Sequence, residues 1–272
     1  MLDDKLTAPS GTPPRPAWWV FTIIGLAGGF LSGLFGIGGG IIMLPLLSLL
    51  ARMDARSAAS TSLAAIFPIS LAGSIGYLLL GHIDVPAGLL IAVGSMVGVA
   101  VGTAVMDRLP VTTLRWAFIG LMVLAALRLV MTIPPRTAVT DVNLETAVAT
   151  LALGLVVGVL SGLFGIGGGV IMVPALILLF GVSDLTARGT SLMVMIPTSF
   201  AGTVSNLRRG RVRLSDGLLT GLTAVAGTSF GVTASAWTSP RISNILFTVV
   251  LVTAIVQMTV KAVREGRATK EP

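Results

Sequence analysis

The sequence predicts an all-α integral membrane protein of two homologous halves, each with one glycine-broken helix and three transmembrane helices. Three observations carry that expectation. The chain is 54% hydrophobic and only 11% charged, with a mean hydropathy of +0.97, whereas soluble domains carry about 25% charged residues. Uncharged runs long enough to cross a bilayer recur along the chain. Nine residues, SGLFGIGGG, stand unchanged at Ser32–Gly40 and again at Ser161–Gly169.

Composition also excludes. The net charge of +7 could suggest nucleic acid, but in so apolar a chain positive charge gathers on the cytoplasmic loops of a membrane protein. No basic patch has a soluble fold to carry it, so membrane lipid is the expected partner and nucleic acid is not. There is no cysteine, hence no disulfide, iron–sulfur cluster or thiolate metal site. His82 is the sole histidine, which rules out paired imidazole ligation within one chain. Neither a cofactor nor a metal site is expected. An intramembrane enzyme finds no support either, because His82 sits at a span edge and no buried Ser–His or paired-Asp arrangement can be assembled.

Taken in order, residues 1–16 read as a short disordered cytoplasmic tail, with an apolar run behind it too long for a signal-peptide core. A first membrane repeat follows at 17–132, a linker at 133–145, a second repeat at 146–261 and a cytoplasmic tail at 262–272. A hydrocarbon core of ~30 Å takes about 20 helical residues. Ser57–Ile83, Val85–Met106 and Val111–Met131 fit one crossing each in the first half, and Gly189–Leu207, Gly217–Pro240 and Ile242–Val260 do so in the second.

Two runs are too long. Pro16–Ala51 has 36 uncharged residues and Thr146–Ser183 has 38, which as straight helices would reach roughly 55 Å. These are the runs that hold SGLFGIGGG. Three consecutive glycines cover nearly a helical turn, and each costs about 1 kcal/mol relative to alanine, so a chain break is expected there. Pro45 and Pro174 would then stand near the first turn of a following half-helix. Each broken run is either one tilted crossing or a re-entrant hairpin. Crossings leave the halves parallel, whereas hairpins give each half three full crossings and invert the second half. Hairpins collect 14 of the 18 lysines and arginines on one side and crossings 12, which favours inverted repeats. Both arrangements put both termini in the cytoplasm of a cell with this protein in its inner membrane.

An offset of 129 residues aligns the halves without gaps. SGLFGIGGGIIMLPLL (32–47) lies over SGLFGIGGGVIMVPAL (161–176) with 13 of 16 identical, and TSLAAIFPISLAG (61–73) over TSLMVMIPTSFAG (190–202) with 7 of 13. Duplicated halves are the architecture of many secondary transporters. The series Gly94, Gly98 and Gly102 marks one face of a helix for close packing.

A helix broken at membrane depth leaves amide donors at the new N-terminus, which attracts anions. Unpaired backbone is tolerated there only inside protein or beside water. The candidate site therefore comprises Gly38, Gly39 and Gly40 with Gly167, Gly168 and Gly169. Thr61, Ser62, Thr190 and Ser191, with Ser70 and Ser199 farther along, are the candidate hydroxyls. Each could instead cap a helix or bond back to a carbonyl. No Asp or Glu lies at the centre of a span, since Asp54, Asp84, Asp107, Asp184 and Asp216 all fall at edges. That fits an anion path better than a cation carrier and leaves the energy coupling open.

The two GLFGIGGG runs, each followed by a proline, and the TSL segments with GHID after the first resemble the sulfite exporter TauE/SafE family, also called toluene sulfonate uptake permeases. The resemblance extends from about Trp18 to Lys261. It implies a small sulfur-containing anion as substrate, such as sulfite, a sulfonate or sulfoacetate. The family's glycine motif matches Gly36, Gly38, Gly39, Gly40, Gly165, Gly167, Gly168 and Gly169, and its hydroxyl pairs match Thr61-Ser62 and Thr190-Ser191. Where the first half has His82 and Asp84, the second has Arg211 and Arg213, so those positions cannot act symmetrically. A secondary transporter is the leading expectation, with a passive anion channel and a non-transporting scaffold as alternatives. Whether it forms a homo-oligomer is left open.

Overall fold

The computed structural model describes residues 17–105, 116, 119, 120, 123, 127, 144–210 and 214–268. Within them the chain is helical and has no strand. The helices are α1 (Trp18–Phe35), α2 (Gly40–Leu49), α3 (Ala55–Leu79), α4 (Val85–Val105), α5 (Leu144–Phe164), α6 (Gly169–Phe180), α7 (Asp184–Arg208), α8 (Leu214–Trp237) and α9 (Pro240–Ala268). The third crossing expected in the first half, Val111–Met131, lies mostly outside the described residues, as do the expected N-terminal tail and most of the linker. Helix α9 runs on through residues 262–268, part of the expected C-terminal tail.

Helices α1, α3, α4, α5, α8 and α9 contain stretches long and apolar enough to cross a membrane, so this is a multi-pass membrane protein. Helix α7 is 25 residues long but rich in Thr, Ser and Gly. It is buried along most of its length, and a helix walled in by protein needs no lipid-facing stripe.

Both overlong runs are interrupted at the triple glycines. Gly36 ends α1 in the left-handed region, and its N–H bonds to Ser32 O at 2.7 Å. Gly38 and Gly39 both have φ of 71°, a conformation that β-carbons disfavour. Helix α2 then folds back along α1. A Cβ on Gly39 would lie 2.7 Å from Gly28 O, Met43 packs on Gly28, and Leu47 and Ala51 share a core with Val20, Phe21 and Ile24. The second break repeats this, with Gly165, Gly167 and Gly168 at φ of 67°, 73° and 80° and Gly168 over Val157. Pro45 and Pro174 lie one turn deeper than expected, as the sixth residues of α2 and α6. Gly40 and Gly169 already have helical backbone, so each half-helix starts at the third glycine.

Glycines set how the helices pair. A Cβ on Gly94, Gly98 or Gly102 of α4 would lie 2.3, 2.2 or 2.2 Å from the carbonyl oxygen of Leu151, Leu155 or Val159 on α5. Such backbone contact is the small-residue packing of membrane helices. The contacts advance together, so α4 and α5 run in the same direction. Helices α1 and α8 do likewise, with Gly25 at Thr220, Gly29 at Ala224 and Gly33 at Thr228. In α3 and α8, Gly217 meets Ala64, Gly221 meets Pro68 and Gly76 meets Val232, again in one direction. Helices α3 and α7 run oppositely, because Gly189 meets Tyr77, Gly73 meets Leu192 and Gly202 meets Leu63. In α4 and α7 the order is shared, from Gly88 at Thr190 to Ser95 at Thr198 and Thr103 at Ser205.

Candidate functional site

The two broken segments touch each other. A Cβ on Gly40 would lie 2.6 Å from Ile166 Cα, and one on Gly169 would lie 2.7 Å from Gly36 O and 2.8 Å from Ile37 Cα. Gly38 and Gly167 both face Ile66 and Met195, residues that coincide under the 129-residue offset. The glycines of both halves are thus gathered at one place in the interior, with two apolar side chains between the loops. Met195 is unbranched and polarisable, and such side chains repack easily.

Hydrogen bonding at the first break is lopsided. The last carbonyls of a helix have no intrahelical donor, and those of α1 are capped from α3 and α7. Tyr77 Oη donates to Gly33 O (2.8 Å), an Arg188 guanidinium nitrogen to Leu34 O, and Ser191 Oγ to Gly36 O (2.9 Å). The N-terminal end of α2 differs. Its first backbone bonds run from Ile42 N–H (3.1 Å) and Met43 N–H (2.9 Å) to Gly39 O, and its N-cap Gly39 has no side-chain cap. The same holds for α6, where Ile171 N–H and Met172 N–H bond to Gly168 O at 3.1 Å and Gly168 is likewise uncapped by a side chain. By helix geometry the preceding amides, those of Gly39 to Ile41 and Gly168 to Val170, have no intrahelical acceptor.

Arg188 and Tyr77 were not singled out from the sequence. Arg188 is 2% exposed. Its Nε donates to Asp184 Oδ1 at 3.0 Å, and Nη2 donates to Asp184 Oδ2 and Ser243 Oγ. Together with Leu34 O, this joins α7, α1 and α9 in one buried network, while Tyr77 adds α8 through Ser235 Oγ (2.9 Å). The available signal was the Asp184–Arg188 spacing of four residues, which places both on one helix face. Asp184 is at a span edge as expected, yet it is buried.

The family described as sulfite exporter TauE/SafE matches residues 2–129 and 150–272. The chain belongs to that family. Among its relatives, the probable membrane transporter protein YunE of Bacillus subtilis (strain 168) is 30% identical over 235 residues, covering 78% of this chain and 85% of its own. The probable membrane transporter protein YdhB of the same strain is 28% identical over 230 residues, 84% of this chain and 91% of its own. The probable membrane transporter protein MJ0441 of Methanocaldococcus jannaschii is 25% identical over 246 residues, 84% and 90% respectively. No solved structure matches the chain. This TauE/SafE protein is therefore a membrane transporter.

The candidate hydroxyls of this TauE/SafE chain meet different surroundings. Ser191 reaches the other half at Gly36 O, and Thr190 Oγ1 accepts the N–H of Asp84 at 2.9 Å. Ser70 Oγ donates to Phe67 O (2.9 Å), and Ser199 Oγ donates to Met195 O (2.6 Å), both within their own helices. Thr61 is buried, and Ser62 is buried with its hydroxyl oxygen unpartnered.

Proposed function

We propose that this protein is a secondary transporter of a small sulfur-containing anion, such as sulfite, a sulfonate or sulfoacetate. The anion docks on the backbone amides of Gly38–Gly40 and Gly167–Gly169, between two inverted halves. The observation that carries this reading is the lopsided bonding at the first break. Tyr77, Arg188 and Ser191 quench the carbonyl end of α1, whereas the N-cap glycines of α2 and α6 bring no side-chain cap to the amide ends. A helix N-terminus carries about half a positive charge and readily takes an anion. Ser70 and Ser199 would have to leave their own helix carbonyls to reach a ligand.

Inverted halves are supported by the helix directions. Helix α1 runs with α8 and α3, and α3 runs against α7, which runs with α4 and α5. Equivalent helices α1 and α5 therefore point opposite ways. Arg52, Arg56, Arg208 and Arg209 then fall at one end, the cytoplasmic side by the positive-inside rule. Ile66 and Met195 between the loops favour alternating access over an open pore.

The test is uptake of radiolabelled sulfite, taurine or sulfoacetate into proteoliposomes. Saturable uptake of at least one of them, absent from protein-free vesicles, supports the reading. Anion conductance at channel rates, or no uptake of any of the three, refutes it.

A further inference from the structure

Met195 reaches both breaks at once. A Cβ on Gly38 would lie 2.6 Å from Met195 Sδ, one on Gly167 would lie 3.3 Å from the same sulfur, and one on Gly169 would overlap Met195 Cε. Its methyl end thus rests on the first residue of α6, whose amide is among those without an intrahelical acceptor. Ile66, its counterpart in the first half, stands 3.4 Å from a Cβ on Gly38 and 3.0 Å from one on Gly167. Both side chains are fully buried. An anion on the amides of both breaks needs volume that the Met195 thioether fills, so this side chain has to move first.

The two counterparts differ in how readily they move. Isoleucine is β-branched and held to one χ1 rotamer in a helix, whereas methionine turns about three bonds. Their helices differ as well. Pro68 and Pro197 coincide under the 129-residue offset, and each stands inside its helix two residues past Ile66 or Met195. A proline lacks the N–H that would bond one turn back, here to Ala64 O in α3 and to Met193 O in α7. In α7 the next three carbonyls also take hydroxyl donors. Thr198 Oγ1 donates to Val194 O (2.8 Å), and Ser199 Oγ to Met195 O (2.6 Å) and Ile196 O (3.2 Å). Hydroxyls that bond back in this way weaken and bend a helix. In α3 the Thr198 position is Ile69, which has no hydroxyl, and Ser70 Oγ donates to Phe67 O. The turn that carries Met195 is the softer of two otherwise equivalent turns.

We propose that Met195 is the mobile gate of the space between the two breaks, its thioether leaving the glycine loops as α7 flexes at Pro197 while Ile66 stays as a fixed wall. As a gate to an anion it rests on the transporter reading above and deepens it. Gating is then unequal between halves whose glycine breaks match. The anion binds only the arrangement with Met195 withdrawn, so its apparent affinity falls with the fraction of time the gate is shut. The room that Met195 yields sets the size of anion admitted.

The test uses the full-length chain in liposomes, where the absence of native cysteine lets one thiol be read alone. Ile66→Cys places that thiol beside the gate, and its reaction rate with 2-hydroxyethyl methanethiosulfonate, a neutral reagent, reports opening without any anion. Adding Met195→Ala should speed the reaction about tenfold. Adding Met195→Leu, which keeps the volume but trades the flexible thioether for a branched chain, should slow it severalfold at an unchanged melting temperature. Pro197→Ala, which returns the N–H to α7, should slow it too. Met195→Ala should also tighten binding of sulfonates by about tenfold, benzenesulfonate more than methanesulfonate. A labelling rate that ignores Met195→Leu or Pro197→Ala overturns the proposal, and so does equal sulfonate affinity in the parent and Met195→Ala. Labelling that responds as expected while no sulfonate binds any variant upholds the gate and defeats the transporter reading, so the two fail separately.

Discussion

Replacing Arg188 by methionine should be among the most damaging single changes in the protein. The guanidinium is 2% exposed and holds both carboxylate oxygens of Asp184, the hydroxyl of Ser243 and the carbonyl of Leu34. Methionine fills similar volume but leaves Asp184, itself 9% exposed, as a buried carboxylate without its cation. Breaking a buried pair from one side costs about 3–5 kcal/mol, and the uncapped Leu34 carbonyl adds about 1–3 kcal/mol at most. Removing both charges avoids the first of these penalties. The double variant Arg188→Met/Asp184→Leu should therefore recover most of the loss and lie within about 2 kcal/mol of the parent. Arg188→Lys should fall between, because an ammonium keeps the charge but cannot reproduce a planar fork with four acceptors. Equilibrium unfolding in mixed micelles, followed by tryptophan fluorescence, measures the parent, these three variants and the Asp184→Leu single that closes the cycle. A cost below about 1 kcal/mol for Arg188→Met, or a double variant as unstable as the summed singles, would refute the reasoning.

Three other outcomes are expected. Gly98→Ala should destabilise by about 1–3 kcal/mol through overpacking against α5, whereas Gly120→Ala, with nothing within 4 Å of its Cβ, should be neutral; equal effects in a thermal-unfolding assay would contradict the backbone contact. Asp54 accepts the N–H groups of Arg56 and Ser57 at 3.1 Å as the N-cap of α3, and hydrogen bonding from the Ser57 side chain, opposed in part by burial and aided by those N–H groups, holds its carboxyl below the usual carboxylate range. Its folded value being the lower one, this stabilisation is complete above the unfolded value and is lost as pH falls through the folded value, so Asp54→Ala should cost about 0.5–2 kcal/mol at neutral pH and the gap should close in acid; a gap constant with pH would be inconsistent. In a chain with no cysteine, Arg52→Cys and Arg209→Cys should be labelled from one side of the membrane and Ser239→Cys from the other, and labelling of Arg52→Cys and Ser239→Cys from the same side would rule out inverted halves.

The breaks were legible in the sequence because three adjacent glycines satisfy no packing pattern that one face of a helix needs. The pairing face of α4 was legible for the opposite reason, its glycines recurring every four residues. What the glycines face was not, since a neighbour's backbone leaves no trace in local sequence. Gly39 meets Gly28 O in a left-handed turn, and Gly40 meets Ile166, so close approach requires glycine at both and chain reversal requires it at Gly39. The Arg188–Asp184 pair was hidden because charges at the edge of an apolar run look like a boundary. Only the tertiary contact of α7 with the end of α1 turns that edge into an interior. Ser70 and Ser199 looked available, but a hydroxyl on a long helix can always bond back one turn, and both do.

The central claim is that amides freed at two broken helices receive an anion. Equilibrium binding to the purified protein tests it most directly, with sulfite, methanesulfonate and sulfoacetate compared against dimethyl sulfone, a neutral molecule close to methanesulfonate in shape. At least one of the anions should bind saturably while the sulfone does not. No binding by any anion, or competition by the sulfone at equal strength, would contradict it.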